Sequence, residues 1–500
     1  MKIKLVCLSL LTLALASCGV APSSSFSSPI QGESSQSSVE EITSFESSSS
    51  SKETSEEPSS AFSEIPSVES TPSSISSLNY ESEDPLKEPY IGRQYYLNQI
   101  GDIFAVWDNY RGDGITIAVI DMGFKPDHED FYFADGSSKV STSSASFTTT
   151  GSQTKTEVGI GYVINEAESH GTFCAGVAAA GINGKGVVGV APNASLLLLK
   201  TDAKPKSIVA AFKYAADNGA RVVTISIGSY YDYGGDLNSD GSDLGTVFDP
   251  AIEYCHSKGV AVISAAGNGG LDGNPTEFTF PGCVDGVIGV GGLAANNSDE
   301  IWEGSSYNSS PKWEFCDVFA PADMMFGCCH YGGKKYDGGW KGTSFASPQV
   351  AGLAALYFQK YPTRNHEDFE RDLYASCHGL TKSTIVNKNQ TGHGRIDAAA
   401  LLGITPKKSF TVTVKTSWGK ANCYLWNSLT GTAMKEWPGV AMTKSGSTYA
   451  YEVNGNYDFI IFNNGSAQTV NLNLSAFASG HGYDLTSSTS EVGCLVGNYI

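Results

Sequence analysis

The chain has 500 residues, of which 41% are hydrophobic, and it carries a net charge of −20 at pH 7. It is too long for one small domain, and its apolar share is sufficient for a sizeable core. The acidic balance argues against a nucleic-acid partner, because no basic cluster could follow a phosphate backbone, and it disfavours electrostatic binding to anionic membranes.

The N-terminal residues have the pattern of a secretory leader. Lys2 and Lys4 precede an apolar run over residues 5–16, which is too short for a comfortable membrane span. The run ends in Leu-Ala-Ser-Cys-Gly, which resembles a bacterial lipobox and implies lipid attachment at Cys18. We therefore expect residues 1–18 to be a lipoprotein signal and the protein to be anchored at the extracellular face of a bacterial cell membrane. The alternative is an ordinary thiol in a cleaved leader.

Residues 19–84 are expected to form a disordered tether. Ser, Glu, Thr and Pro dominate this segment. Its apolar side chains are too few to offset the entropy lost when a chain folds.

An α/β domain is predicted over residues 85–405. Short aliphatic runs at 115–121, 195–200, 220–227 and 260–265 suit strands that are buried on both faces. Helical patterns lie between them, at 208–218 and 250–257. This alternation predicts a parallel sheet with helices on both faces.

Three motifs in this domain carry residue types used in nucleophilic catalysis. Asp121 ends a predicted strand, His170 opens a helix of small residues, and Ser344 stands at a helix start in Gly-Thr-Ser-Phe-Ala-Ser-Pro. Serine needs an imidazole to take its proton and a carboxylate to hold that imidazole in the right tautomer. Each residue alone could be a turn or capping residue. Their conjunction, in this order, favours catalysis.

These motifs resemble the subtilisin-like serine proteases (peptidase S8) over roughly residues 94–402. The resemblance implies that Asp121 orients His170, that His170 acts as general base and then general acid, and that Ser344 attacks the scissile carbonyl. The implied activity is that of a serine-type endopeptidase on protein or peptide substrates, with no cofactor for catalysis.

The same resemblance implies further residues around the nucleophile. Asn268, in Ala-Ala-Gly-Asn-Gly, would donate its side-chain amide to the oxyanion beside the Ser344 N–H. The residues implied to bind substrate are Ser226, Ile227, Gly228, Ala266 and Gly267.

A structural calcium ion is also implied by the resemblance. Asp130 and Asn183 fall where subtilisins place side-chain ligands of a tight calcium site. A separate acidic loop at 236–241 has oxygen ligands at alternate positions, but Val247 replaces the expected bidentate glutamate, which favours a solvated loop. His128 is interpreted as a loop histidine and not as a second base.

The sequence contains 11 cysteines, and nine remain once Cys7 and Cys18 are assigned to the leader and the lipid anchor. An odd number leaves at least one free thiol unless two chains pair with each other. The sequence cannot assign any disulfides.

From residue 409 an alternating pattern predicts a compact β-sandwich over residues 406–487, followed by a tail at 488–500. This region resembles a family 26 starch-binding module, which implies that Tyr424, Trp426, Trp437 and Gln468 bind starch or a related α-glucan. Alternatively, the aromatic residues belong to the core, or the module only stabilises the protein or binds a partner. Tyr424 and Trp426 share a strand face, so both are buried or both are presented.

The predicted function is that of a surface-anchored serine endopeptidase that is docked on α-glucan. The alternative is a non-catalytic surface adhesin or glycan-binding protein that uses the protease fold as a scaffold. Intact triad and oxyanion residues count against that alternative.

Overall fold

The computed structural model describes residues 83–167, 169–230, 244–276, 279–295, 299–308, 315–380, 390–405, 409–427, 433–454, 457, 459–478, 480–491 and 493–500. The predicted signal, Cys18, nearly all of the predicted tether and the acidic loop at 236–241 lie outside these residues. Within them, none of the helices combines the length and the apolar character needed to cross a bilayer.

The strands are β1 Thr116–Asp121, β2 Ala145–Thr150, β3 Gln153–Val158, β4 Ser195–Thr201, β5 Val222–Ile225, β6 Ser229–Tyr230, β7 Ala261–Ala265, β8 Thr279–Phe280, β9 Val287–Leu293, β10 Val318–Pro321, β11 Met325–Cys328, β12 Tyr336–Trp340, β13 Ser409–Lys415, β14 Asn422–Trp426, β15 Val440–Ala441, β16 Thr443–Ser445, β17 Thr448–Asn454, β18 Phe459–Asn463, β19 Leu472–Asn473, β20 Gly482–Glu491 and β21 Cys494–Tyr499. The α-helices are α1 Ile103–Trp107, α2 His170–Ala179, α3 Pro205–Asp217, α4 Leu244–Ser257, α5 Ser347–Lys360, α6 His366–Ser376, α7 Ala398–Leu401 and α8 Ser475–Ala478.

An eight-stranded sheet in the order β10-β9-β7-β5-β1-β4-β2-β3 forms the centre of the N-terminal domain. Every neighbouring pair is parallel except β2 and β3, which form an antiparallel hairpin at one edge. The predicted parallel α/β fold is confirmed.

Alternate residues of β1 pack against helices on opposite faces of the sheet. Ile117 and Val119 belong to the apolar cluster that contains residues of α2 and α5. Ala118 and Ile120 belong to the cluster that contains residues of α3 and α4. Because successive strand side chains point to opposite faces, a strand covered on both sides must be continuously apolar, as β1 is.

Two predicted boundaries move where the chain approaches the site. The strand predicted at 220–227 is shorter, because residues 226–228 leave the sheet after β5. The helix expected to start at Ser344 begins at Ser347, after a 3-10 turn at Thr343–Phe345. Both changes lie at Ser344: Ser226 is hydrogen-bonded to Ser344, and Ser344 itself lies in the 3-10 turn.

The C-terminal domain consists of two sheets, one of five strands in the order β16-β17-β13-β20-β21 and one of four in the order β15-β14-β18-β19. The predicted tail at 488–500 is wrong, because it contains the end of β20 and all of β21, which pair with each other. The extra hairpin completes the five-stranded sheet.

The two predicted domains share one interface. Asn98, which precedes α1, accepts a hydrogen bond from the backbone N–H of Asn473 at 2.7 Å. A Cβ added at Gly92 would lie 2.0 Å from the Gly497 carbonyl oxygen, so the two backbones touch there. The N-terminal segment of the α/β domain therefore packs directly on the C-terminal sheets.

Candidate active site

The predicted catalytic residues meet at one edge of the large sheet. Asp121 is the last residue of β1, Ser226 follows β5, and Asn268 comes three residues after β7. These strands are parallel neighbours in the order β7-β5-β1. Their carboxyl ends therefore lie side by side, where open α/β sheets form a ligand crevice.

Asp121 and His170 form a hydrogen-bonded pair. The Nδ1 atom of His170 lies 2.9 Å and 3.0 Å from the two carboxylate oxygens of Asp121. Asp121 is fully buried. The backbone N–H of Met122 also donates to Asp121 Oδ1, at 2.8 Å. An ionised carboxylate only accepts hydrogen bonds, so Nδ1 carries the proton and Nε2 is left with the lone pair that a general base needs.

The residue after His170 must be a glycine, because the start of α2 lies directly against the end of β1. A Cβ added at Gly171 would lie 2.3 Å from the Gly123 carbonyl oxygen and 2.9 Å from the Asp121 Cβ. The His-Gly-Thr motif therefore lets α2 begin directly against the end of β1.

Ser344 is held beside this pair by contacts on both sides. Its hydroxyl donates to the Ser226 carbonyl at 3.2 Å, and the Ser226 hydroxyl donates to the Ser344 carbonyl at 2.8 Å. From α2, the Cys174 thiol donates to the same Ser344 carbonyl at 3.3 Å. The ring of Phe345 lies 5.7 Å from the imidazole of His170. The nucleophile therefore lies between β5 and the helix that carries the base.

The side-chain amide of Asn268 is oriented by Thr343. Its Oδ1 accepts from the Thr343 backbone N–H at 2.9 Å and from the Thr343 hydroxyl at 3.0 Å. The same hydroxyl accepts the Gly267 N–H at 3.1 Å. Because Oδ1 is committed to Thr343, Nδ2 is the atom that this amide can offer to an oxyanion.

Sequence analysis did not identify Thr343 as a functional residue. The only signal available was a hydroxyl residue directly before the nucleophile in the Gly-Thr-Ser motif.

Four of the five predicted substrate-binding residues follow β5 or flank Asn268, close to Ser344 and Thr343. Ser226 contacts Ser344 directly, Ile227 is half-buried and Gly228 is exposed. Gly267 is a positive-φ residue (φ 103°) on the oxyanion loop. Ala266 is the exception: it is fully buried and its N–H donates to the Val290 carbonyl, so its side chain belongs to the core.

The two predicted calcium ligands have different partners. Asn183 donates from Nδ2 to the carbonyls of Glu129 and Tyr132, and its buried Oδ1 has no hydrogen-bond partner among the described residues. Asn183 therefore has an oxygen to offer a cation.

The carboxylate of Asp130 has other neighbours. It accepts hydrogen bonds from the Val187 N–H and the Tyr336 hydroxyl, each at 3.1 Å, and from the Cys328 thiol at 3.6 Å. Calcium needs several oxygen atoms that converge on one point. Asp130 faces N–H, O–H and S–H donors, so it does not fit a calcium ion as it stands.

Within the part of the chain that the structure describes, the cysteines do not form disulfides. The nine cysteines that follow Cys18 are present there as thiols outside any disulfide: Cys174, Cys255, Cys283, Cys316, Cys328, Cys329, Cys377, Cys423 and Cys494. His128 is buried and its Nε2 bonds to the Lys335 carbonyl at 2.8 Å, which makes it a packed loop histidine.

Three aromatic side chains form a platform on the C-terminal domain. Tyr424 and Trp426 are both half-buried on one face of β14, whereas Cys423 and Leu425 on the other face are fully buried. The ring of Trp437, which is 49% exposed, lies 5.5 Å from that of Tyr424. This aromatic platform (Tyr424, Trp426, Trp437) is therefore presented together on the surface.

The structure gives Gln468 a partner on another strand. Its Nε2 donates to the Cys494 thiol at 3.8 Å, and its carbonyl accepts the Leu495 N–H at 2.8 Å. Gln468 therefore connects its loop to β21.

Asp121 and His170 are hydrogen-bonded at the carboxyl edge of the parallel sheet, and Ser344 lies against Ser226 at the same edge, which is an arrangement consistent with a serine peptidase of the subtilisin type. The chain belongs to the subtilase family, whose model matches residues 112–414. Residues 413–474 match the model of starch-binding module 26. The protein is thus a subtilisin-family serine endopeptidase with a starch-binding module.

Subtilisins and thermitase match a little more than half of this chain. Subtilisin DY of Bacillus licheniformis is 30% identical over 296 residues, which are 58% of this chain and 92% of the relative. Thermitase of Thermoactinomyces vulgaris is 30% identical over 280 residues, 54% of this chain and 84% of the relative.

Solved structures support the fold. The epidermin leader peptide processing serine protease of Staphylococcus aureus superposes with a TM-score of 0.52 at 24% identity, covering 64% of this chain and 82% of that one. A protease of Pseudoalteromonas arctica gives a TM-score of 0.51 at 23% identity, covering 64% and 99%.

Proposed function

We propose that the protein is a lipid-anchored endopeptidase that cleaves proteins through Asp121, His170 and Ser344 while its C-terminal domain holds it on α-glucan. The observation that carries the catalytic part is the pair of hydrogen bonds from His170 Nδ1 to the Asp121 carboxylate. They fix the tautomer in which Nε2 can accept a proton.

The proposed reaction uses these three side chains. His170 Nε2 takes the hydroxyl proton of Ser344 as the oxygen attacks the scissile carbonyl carbon. The imidazolium that forms is stabilised by the buried carboxylate of Asp121 and then returns the proton to the leaving amine. The acyl-enzyme is hydrolysed by water through the same proton transfers. No step in this scheme needs a cofactor.

The negative oxygen of the tetrahedral intermediate would be held by Asn268 Nδ2 and the Ser344 N–H. Thr343 keeps the Asn268 amide in place before substrate arrives. Preorganised donors of this kind do not need to reorient during the reaction, which is the source of their catalytic effect. Ser226, Ile227 and Gly228 would pair with the backbone of the substrate.

Docking on α-glucan is supported by the aromatic platform and by the match to starch-binding module 26. Flat aromatic faces bury the CH groups of sugar rings, while the half-buried setting keeps Tyr424 and Trp426 rigid. The protein substrates of the enzyme would then be those that lie near starch at the cell surface.

Anchoring rests on the lipobox-like sequence that ends at Cys18. The long Ser-rich segment up to residue 84 would separate the enzyme from the membrane. Metabolic labelling with a fatty acid, lost in Cys18→Ser, tests this part separately from catalysis.

Hydrolysis of a casein substrate by the purified protein, with and without insoluble starch, tests the function. We expect cleavage by the parent, none by Ser344→Ala, and retention of both on starch. An adhesin that only uses the protease fold would bind starch and leave casein intact in both forms.

A further inference from the structure

The loop between β11 and β12 is hydrogen-bonded to the start of α2, the helix that opens with His170. Its bonds go to Ser169 and Thr172, which stand on either side of His170 and are both buried. We propose that His330, in this loop, is a positioning residue for the general base. This role rests on the proposed function of His170, because a base must be present for its position to matter.

Ser169 connects the residue before His170 to the loop. It occupies the N-cap position of α2, where a serine hydroxyl ordinarily accepts an N–H from the first turn of its own helix. Among the described residues its side chain makes no such bond. Its Oγ instead accepts the backbone N–H of His330 at 2.9 Å and that of Tyr331 at 2.8 Å. A hydroxyl oxygen has two lone pairs, so both are used by the loop.

The ring of His330 makes the second connection, beyond His170. Its Nε2 lies 2.7 Å from the carbonyl oxygen of Asn165, which can only accept, so Nε2 carries the proton. In the neutral ring Nδ1 is then an acceptor, and it lies 3.1 Å from Oγ1 of Thr172. Because that oxygen already accepts the N–H of Lys125 at 2.8 Å, the Thr172 hydroxyl can donate its own proton to Nδ1.

The partners of the ring belong to the segments that carry the base and its carboxylate. Thr172 is in the first turn of α2, two residues after His170. Asn165 donates from Nδ2 to the carbonyl of Met122 at 3.2 Å, and Met122 directly follows Asp121. The imidazole of His330 therefore bridges the segment next to Asp121 and the helix of His170, and it helps to fix one against the other.

The same hairpin leads to the nucleophile. Strand β12 ends at Trp340, four residues before Ser344, and the ring of Trp340 stacks on that of Phe173 in α2 with centroids 4.9 Å apart. A Cβ added at Gly176 would lie 2.6 Å from Cys328 Sγ, so β11 also packs closely on α2. A shift of α2 away from Ser344 is therefore opposed by the hairpin. Such shifts matter, because a displacement of about 1 Å can slow an enzyme roughly 100-fold.

Kinetics of two His330 variants on a chromogenic peptide amide test the proposal, with active sites counted by fluorophosphonate titration. His330→Leu removes both ring hydrogen bonds, and we expect kcat per active site to fall about tenfold to 100-fold while KM changes by less than about twofold. A purely structural role would lower the number of active sites and leave kcat per site unchanged. Unchanged kcat per site in His330→Leu would overturn the proposal.

A conservative variant should restore the activity. His330→Asn places an amide oxygen near the position of Nδ1, so it can still accept from Thr172 and should keep kcat within about threefold of the parent. Lys334→Gln, at an exposed position of the same loop, is the control and should match the parent. An equal loss of kcat in the leucine and asparagine variants would overturn the proposal.

A second comparison applies if His330→Leu does not fold. His330→Gln can reach the Asn165 carbonyl but leaves the Thr172 hydroxyl without its acceptor, so its kcat should lie below that of His330→Asn. Equal kcat in these two variants would refute the role of His330. A parent that does not cleave the peptide would instead refute the proposed function, and with it this role.

Discussion

The hydroxyl of Thr343 donates to Oδ1 of Asn268 at 3.0 Å, and this bond orients the side-chain amide of Asn268. The same hydroxyl accepts the N–H of Gly267 at 3.1 Å. One side chain, next to the nucleophile, therefore positions the oxyanion loop that follows β7.

Loss of this hydroxyl should lower kcat more than it changes KM. We expect Thr343→Val to reduce kcat roughly tenfold, because Asn268 is less well held, and Asn268→Ala to reduce it by about 10² to 10³, the range found for the equivalent donor in subtilisin. Thr343→Ser keeps the hydroxyl and should retain most of the activity. Steady-state kinetics on a peptide ester would contradict the account if the valine and serine variants had equal kcat.

Removal of Trp437 should weaken binding to starch. Trp437 is the most exposed ring of the aromatic platform, and loss of one stacking surface should cost about 1 kcal/mol or more. Depletion of Trp437→Ala from solution by insoluble starch would measure the effect. Tyr331→Ala is the control, because Tyr331 is also an exposed aromatic residue, at 62%, but lies on the other domain. Equal retention of both variants would argue against the platform.

The buried carboxylate of Glu88 should be needed for stability. It accepts the backbone N–H of Gly184 at 2.6 Å and that of Lys185 at 2.9 Å. Glutamine at this position offers one acceptor and one donor where two acceptors are needed, so Glu88→Gln should lower the free energy of unfolding by about 1–3 kcal/mol. Lys87→Gln, at an exposed neighbouring position, should change it by less than about 0.5 kcal/mol. Urea titration compares the two, and similar losses would contradict this role.

Stability should fall in mild acid because of a histidine pair. The rings of His256 and His366 stack with centroids 3.8 Å apart. Burial, followed by the charge of His366, lowers the pKa of His256 to about 4. A lowered folded-state pKa stabilises the protein above the ordinary value of 6.5, and this stabilisation is lost as pH falls from 6.5 towards 4.

Replacement of one ring tests this dependence. His256→Phe keeps a flat ring but cannot take up a proton, so its stability should decline less over the same pH range. We expect a difference of roughly 1–2 kcal/mol, allowing for solvent screening of this partly exposed pair. Parallel urea titrations at pH 7.5 and pH 5 give the comparison, and identical losses would exclude a role for His256.

The placement of Asp121, His170 and Ser344 could be predicted because each of them stands at a local signal, namely a strand end or a helix start. The carboxyl end of an apolar strand marks Asp121, and the glycine that allows close approach follows His170. The parallel sheet could be predicted for a similar reason, since strands buried on both faces are continuously apolar.

What could not be predicted depends on contacts between distant residues. Thr343 acts on Asn268 across 75 positions, and Cys328 meets Asp130 across 198. Neither pair has a local pattern that marks its partner. The strand Cys494–Tyr499 was missed because its role depends on pairing with β20, not on a clear alternation of its own.

The central claim is that Asp121 and His170 activate Ser344 as a nucleophile. Labelling of the folded protein with a fluorophosphonate probe, followed by mapping of the modified peptide, tests it most directly. We expect the phosphonate on Ser344, with labelling abolished in Ser344→Ala and greatly slowed in His170→Ala. Failure to label Ser344, or unchanged labelling of that residue when His170 is replaced, would contradict the account.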